Sequence, residues 1–140
     1  MKVYLDSSVL VAALVEDEPS HENCLELLRR KGIVAWTHAL AETFATLTGG
    51  RLGIRVPPGI ASQLIAESLL PRLQLVELSA ADMIEAIDGS ASAGMRGGSI
   101  FDFLHLTAAR KSTAKSLYTL NVRHFAALAR SDDPRIESLD

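Results

Sequence analysis

The chain has 140 residues, 48% of them hydrophobic and 22% charged, with a net charge of −3; at this size a chain buries about two-thirds of its unfolded surface, enough for one domain. The net negative charge and a pI near 5.8 exclude a protein that holds nucleic acid by bulk electrostatics, so such binding would need local basic side chains or a bound cation. Its one cysteine, Cys24, excludes an internal disulfide and a cysteine-based zinc cage and suits packing in a reducing compartment.

The N-terminal apolar stretch is interrupted by Asp6, and no membrane-length run follows; a cytoplasmic protein with no membrane association is expected. Val3 to Leu5 read as a buried strand, and Ser7 or Ser8 starts a helix through Val15 that Glu16, Asp17, Glu18 and Pro19 break. Ser20 opens a second helix carrying Leu25 and Leu28. It closes on Arg29, Arg30 and Lys31 with Gly32 beyond, as the helix dipole and the left-handed C-cap favour.

Ile33 to Trp36 form a second strand, Thr37 starts a helix with Leu40, Phe44 and Leu47 on one face, and Gly49 and Gly50 end it. Pro57 and Pro58 open a helix that runs through Leu64 and Ile65 to Leu70 and stops at Pro71. Leu73, Leu75 and Val76 mark a third strand. Ser79 and Asp82 form a capping box for a helix of Met83, Ile84 and Ile87, and SASAGMRGGS reads as a loop.

Ser99 opens an apolar helix, IFDFLHLTAA; Ser116 to Leu120 read as a fourth strand, Phe125 to Ala129 as a short helix, and Arg135 to Ser138 as an edge strand. Strands alternating with helices predict a single three-layer α/β/α domain over residues 1–140 with a central parallel sheet. Such a sheet delivers strand C-termini and helix N-termini to one rim, where ligands bind. On that rim fall Asp6 after the first strand, Glu42 after the second, Asp102 in the opening turn before the fourth and Asn121 after the fourth.

Each acid also has an ordinary explanation. Asp6 could cap the first helix, although Ser7 and Ser8 could do so without it. Glu42 lies across the helical wheel from the Leu40, Phe44 and Leu47 stripe, as a solvated residue would. Asp102 stands three residues after Ser99 and could complete a capping box, yet its side carries Leu106 and Ala109 and no basic partner. Three carboxylates on one rim repel by about 4 kcal/mol per close pair at an effective dielectric near 20. A cation reverses that sign, and oxygen ligands without cysteine select Mg²⁺ or Mn²⁺. His21, His38, His105 and His124 lack zinc-ligand spacing, and His105, on an apolar helix, reads as a packed, hydrogen-bonded residue.

Four segments in order, LDSSVL, HALAETFATL, FDFLHLTAAR and TLNVRHF, resemble the PIN-domain ribonucleases, in particular the VapC-type toxins of type II toxin-antitoxin pairs. The resemblance implies a five-stranded parallel sheet in the order 3-2-1-4-5 and Mg²⁺- or Mn²⁺-dependent endonucleolytic cleavage of RNA. Asp6, Glu42 and Asp102 would then hold the metal, with Asn121 at a fourth position where many members have Asp. It also implies a small antitoxin protein that blocks the site, and a homodimer. Leu47 to Ile54, and the helix of Leu64, Ile65 and Leu69, could supply apolar patches for these partners. Of Arg51, Arg55, Arg96, Arg110, Lys111, Lys115 and Arg123, only Arg96 and Arg123 fall in segments near the rim and are the candidates for RNA contact. Two other readings stand beside this one: a receiver-type phosphoacceptor signalling domain, and a non-catalytic binding module on the same fold.

Overall fold

The computed structural model describes residues 1–50 and 52–139, so Arg51 lies outside the described residues. Strand β1 (Val3–Leu5) is wholly buried and pairs in parallel with β2 (Ile33–Trp36) on one side and β4 (Ser116–Tyr118) on the other. Strand β3 (Gln74–Val76) extends the sheet beyond β2, and β5 (Arg135–Glu137) extends it beyond β4, again in parallel. The order is β3-β2-β1-β4-β5, as the resemblance implies.

Side chains alternate across a strand, so a central strand in a three-layer fold feeds two cores. Val3, Leu5, Ile33 and Ala35 point into one core, with residues of α1 (Ser7–Leu14) and α2 (His21–Leu28). Tyr4, Val34, Trp36 and Leu117 point into the other, with α6 (Ser99–Lys111) and Phe125 of α7 (Val122–Leu128). Cys24 lies in the first core.

Helix α3 (His38–Gly49) follows β2, and α4 (Pro58–Leu64) continues through a π-helical turn, Ile65–Leu69, and a 3₁₀ turn, Leu70–Arg72. Pro71 has no N–H to extend the ladder, which is why the helix ends there. Helix α5 (Ala80–Ser92) begins with the expected Ser79–Asp82 capping box. It takes in Ser90–Ser92, which the sequence assigns to the loop. Gly94, at φ +72°, terminates it: the amides of Met95 and Gly94 donate to the carbonyls of Ser90 and Ala91, the Schellman arrangement.

Two helical faces differ from expectation. In α3 the buried residues are Ala39, Thr43 and Leu47, while Phe44 is exposed. Thr43 is tolerated inside because its hydroxyl donates to the Ala39 carbonyl at 2.7 Å. In α5 the buried residues are Ala86 and Ser90, and Ile84 and Ile87 face solvent. Of the proposed apolar patches, Leu47 and Leu69 belong to the core, whereas Leu52, Ile60 and Leu70 are exposed.

Candidate active site on the sheet edge

Asp6 follows β1 directly and is 3% exposed. It does cap α1: its Oδ1 accepts the Val9 amide at 3.2 Å. The nearby serines do not replace it. Ser8 instead donates its hydroxyl to Asp6 Oδ1 at 2.6 Å, and Thr119, past the end of β4, donates to Oδ2 at 2.7 Å.

Both hydroxyls are used twice. Ser8 Oγ accepts the Leu120 amide at 3.1 Å and Thr119 Oγ1 accepts the Asn121 amide at 2.9 Å. The Asp6 carboxylate therefore anchors, through two hydroxyl groups, the turn that carries Asn121. These bonds also explain why sheet pairing does not run to Leu120: the Thr119 amide still donates to the Glu137 carbonyl at 3.2 Å, but the Leu120 and Asn121 amides turn inward to Ser8 and Thr119. Burial pushes the Asp6 pKa up, while His105, Ser8, Thr119 and the Val9 amide pull it down. A carboxylate has about four lone-pair positions, so the three donors leave it able to accept one more ligand.

Glu42 reaches the rim because α3 turns its Ala39 and Thr43 face inward. Its Oε1 accepts the Nε2–H of His105 at 2.7 Å, and His38 Nδ1 stands 3.8 Å from the same oxygen. His105 is buried at 2% exposure, and its Nδ1 lies 2.7 Å from the Tyr4 hydroxyl. The tautomer that fits both partners carries its proton on Nε2 and accepts from Tyr4. Burial, then Asp6 and Glu42, push the Tyr4 pKa well above its ordinary value, so the phenol keeps its proton to donate.

Asp102 lies in the first turn of α6. The cap residue there is Gly98, with no side-chain capping bond, so the Ser99 capping box does not form. The Asp102 side chain is 32% exposed, and His124 Nδ1 stands 3.9 Å from its Oδ2. Burial pushes its pKa up, the imidazoles of His105 and His124 pull it down, and Asp6 and Glu42 push it up again. Asp6 and Glu42 are thus both close enough to Asp102 to act on it electrostatically.

Asn121 is exposed at the start of α7, and its side chain makes no hydrogen bond among the described residues. Arg96, in the loop before α6, and Arg123, in the first turn of α7, are exposed and form no ion pair among the described residues. Arg110 and Lys111, by contrast, are held by Asp133 and Asp82.

Sequence reasoning missed Ser8 and Thr119 as the hydroxyls that hold Asp6, and Tyr4 and His105 as the pair that holds Glu42. A polar Tyr in a buried strand and a His on the Asp102 helix were the available signals, but neither names its partner. As a donor set the rim suits a hard divalent ion: it offers carboxylate oxygens, with no Lys or Arg paired to them among the described residues. Among the described residues no group of three or more His, Cys, Asp or Glu side chains stands close enough together to hold a metal ion as they are placed.

A PIN domain family model matches residues 3–131. The VapBC2 complex from Rickettsia felis, solved bound to a DNA fragment from its promoter, has a chain similar to this one at 22% identity and a TM-score of 0.70, with 100% of both chains covered. The VapC20 toxin of Mycobacterium tuberculosis, described as cleaving the sarcin-ricin loop, is similar at 18% identity and a TM-score of 0.69, with 90% of this chain and 95% of that one covered. DNA-bound VapBC from Salmonella typhimurium gives 17% identity and a TM-score of 0.67 over 100% and 99% of the two chains. No curated protein matches the sequence. At these identities the structures establish a shared fold, and the family match across nearly the whole chain makes the protein a member of the PIN domain family.

Proposed function

We propose that the protein is a metal-dependent endoribonuclease, the toxin of a type II toxin-antitoxin pair, built as one PIN domain over residues 1–140 and acting in the cytoplasm. The observation that carries this reading is the delivery of Asp6, Glu42 and Asp102, far apart in sequence, to one rim, where Asp6 and Glu42 both push the Asp102 pKa up and no Lys or Arg pairs with any of the three among the described residues. The family, and the VapC and VapBC proteins that share the fold, support it.

Asp6, Asp102 and Glu42 would hold Mg²⁺ or Mn²⁺. When bound, such an ion supplies activation of water and neutralisation of charge on a phosphoryl oxygen. The protein's own part is positioning. Ser8, Thr119 and the Val9 amide fix Asp6, and His105 with Tyr4 behind it fixes Glu42. Asn121 positions the attacking water or the scissile phosphate through its amide, and Arg96 and Arg123 contact the RNA backbone. An antitoxin segment would cover the rim, with Leu52, Ile60 and Leu70 among the exposed apolar residues open to it or to a second copy of the chain.

The receiver-type reading is not favoured. Receiver sheets follow the order 2-1-3-4-5, whereas this one runs 3-2-1-4-5, and β3 ends on Val76, followed by Glu77 rather than by an acceptor Asp. No helix among the described residues is long and apolar enough to cross a membrane.

The test is cleavage of RNA by purified protein with Mn²⁺. Asp6→Asn and Asp102→Asn should each lower the rate by about 10²-fold or more while circular dichroism shows the native fold. An Asp6→Asn protein that cuts at the wild-type rate would eliminate the mechanism.

A further inference from the structure

Beside the carboxylates lies a ladder of three rings that the proposed chemistry leaves unused. Trp36, at the end of β2, stacks on His38, the first residue of α3, with centroids 4.6 Å apart and planes 29° from parallel. His38 stacks in turn on Phe101, in the first turn of α6, at 5.6 Å and 8°. Trp36 is 5% exposed and closes the inner end, whereas Phe101 is 42% exposed and forms the outer end. The ladder is tied to the acids at every step: Trp36 meets His105 edge-on at 5.2 Å, His38 Nδ1 is 3.8 Å from Glu42 Oε1, and Phe101 directly precedes Asp102.

A single exposed aromatic is ordinary on a protein surface. This one differs in being the open end of an ordered stack, next in sequence to an acid of the proposed centre. Unpaired bases of single-stranded RNA bind by stacking on such rings. We propose that Phe101, backed by His38 and Trp36, is a stacking subsite for an unpaired base next to the scissile phosphate. This rests on the ribonuclease reading. The subsite offers a ring face and not a hydrogen-bonding edge, so it selects for an unstacked base, with a purine held better than a pyrimidine because its face is larger.

The experiment measures kcat/KM with Mn²⁺ on a short single-stranded RNA and on the same RNA carrying one abasic residue, moved through the positions flanking the cut. Phe101→Ala should lower kcat/KM on the intact RNA by about 10-fold, and Phe101→Trp should restore it. At one flanking position the abasic substitution should cost the wild type a similar factor and cost Phe101→Ala nothing further, as expected for two groups that interact only with each other. The thermal midpoint of Phe101→Ala and its response to Mn²⁺ should match the wild type. Wild-type kinetics for Phe101→Ala, or an abasic penalty that persists undiminished in it, overturns the subsite and leaves the ribonuclease standing; so does a variant impaired only in capture by an inhibitor protein. A wild-type protein that does not cleave RNA overturns both.

Discussion

The two ends of helix α6 treat their charges in opposite ways. In the last turn, Arg110 donates to Asp133 from Nη2 at 2.6 Å and from Nε at 2.7 Å, and Lys111 Nζ donates to Asp82 at 2.7 Å and to the Glu77 carbonyl at 2.8 Å. The hydrogen bond from Lys111, then the one from the Ser79 amide, lowers the Asp82 pKa to about 2. In the first turn, Asp102 has only His124 at 3.9 Å, and burial pushes its pKa up. The helix dipole favours an acid at the first turn and bases at the last, so it does not account for the difference. What differs is the partner: the acids at the last turn are paired with an Arg or a Lys, while among the described residues the rim acids meet only hydroxyl, amide and imidazole groups.

The sharpest way to break this contrast is at the paired end. The Asp133 side chain is 1% exposed, so Arg110→Ala leaves a buried carboxylate with the Arg130 amide, at 2.7 Å, as its remaining donor among the described residues and no cation, and should cost about 3 kcal/mol in urea unfolding; a loss below about 1 kcal/mol would show that the pairing does not support the fold. At the rim the larger effect should come from added cation. Mn²⁺ at a hundred times its Kd should stabilise the wild type by about 2.7 kcal/mol, and Asp102→Asn should remove most of that gain while Asp82→Asn keeps it. Equal responses from the two variants would erase the distinction.

The smallest effect is a pH slope in metal-free buffer. The folded pKa of Asp102 lies above its unfolded value, so the stability its protonation contributes is complete below the unfolded pKa and is lost as pH rises through the folded pKa. The wild type should therefore lose stability relative to Asp102→Asn on raising the pH from about 4 toward neutrality. Parallel stability curves would show that the carboxyl is not strained by its surroundings.

The element order was legible because buried strands, capping residues and Gly or Pro stops leave local signatures, and these led to Asp6, Asp102 and Asn121 on one rim. Reading failed where a helix had two possible faces. The Leu40, Phe44 and Leu47 stripe has the stronger hydrophobic pattern, yet α3 buries Ala39 and Thr43, small residues that allow close packing. By pattern alone Glu42 consequently looks solvated, and only the family resemblance sets it among the metal-holding acids. The cap at Asp6 was underestimated for a related reason: two serines beside it offered the same bond, and only the fold shows that Ser8 turns its hydroxyl to the acid.

By itself the sequence determined a parallel α/β chain with its acids delivered to one edge, because in that topology each strand end and each following helix start must meet there. Tertiary structure alone decided what holds those acids. The bonds from His105 to Glu42 and from Thr119 to Asp6 join residues 63 and 113 positions apart, and contacts at such separations follow from packing geometry, which leaves no periodic trace in the chain.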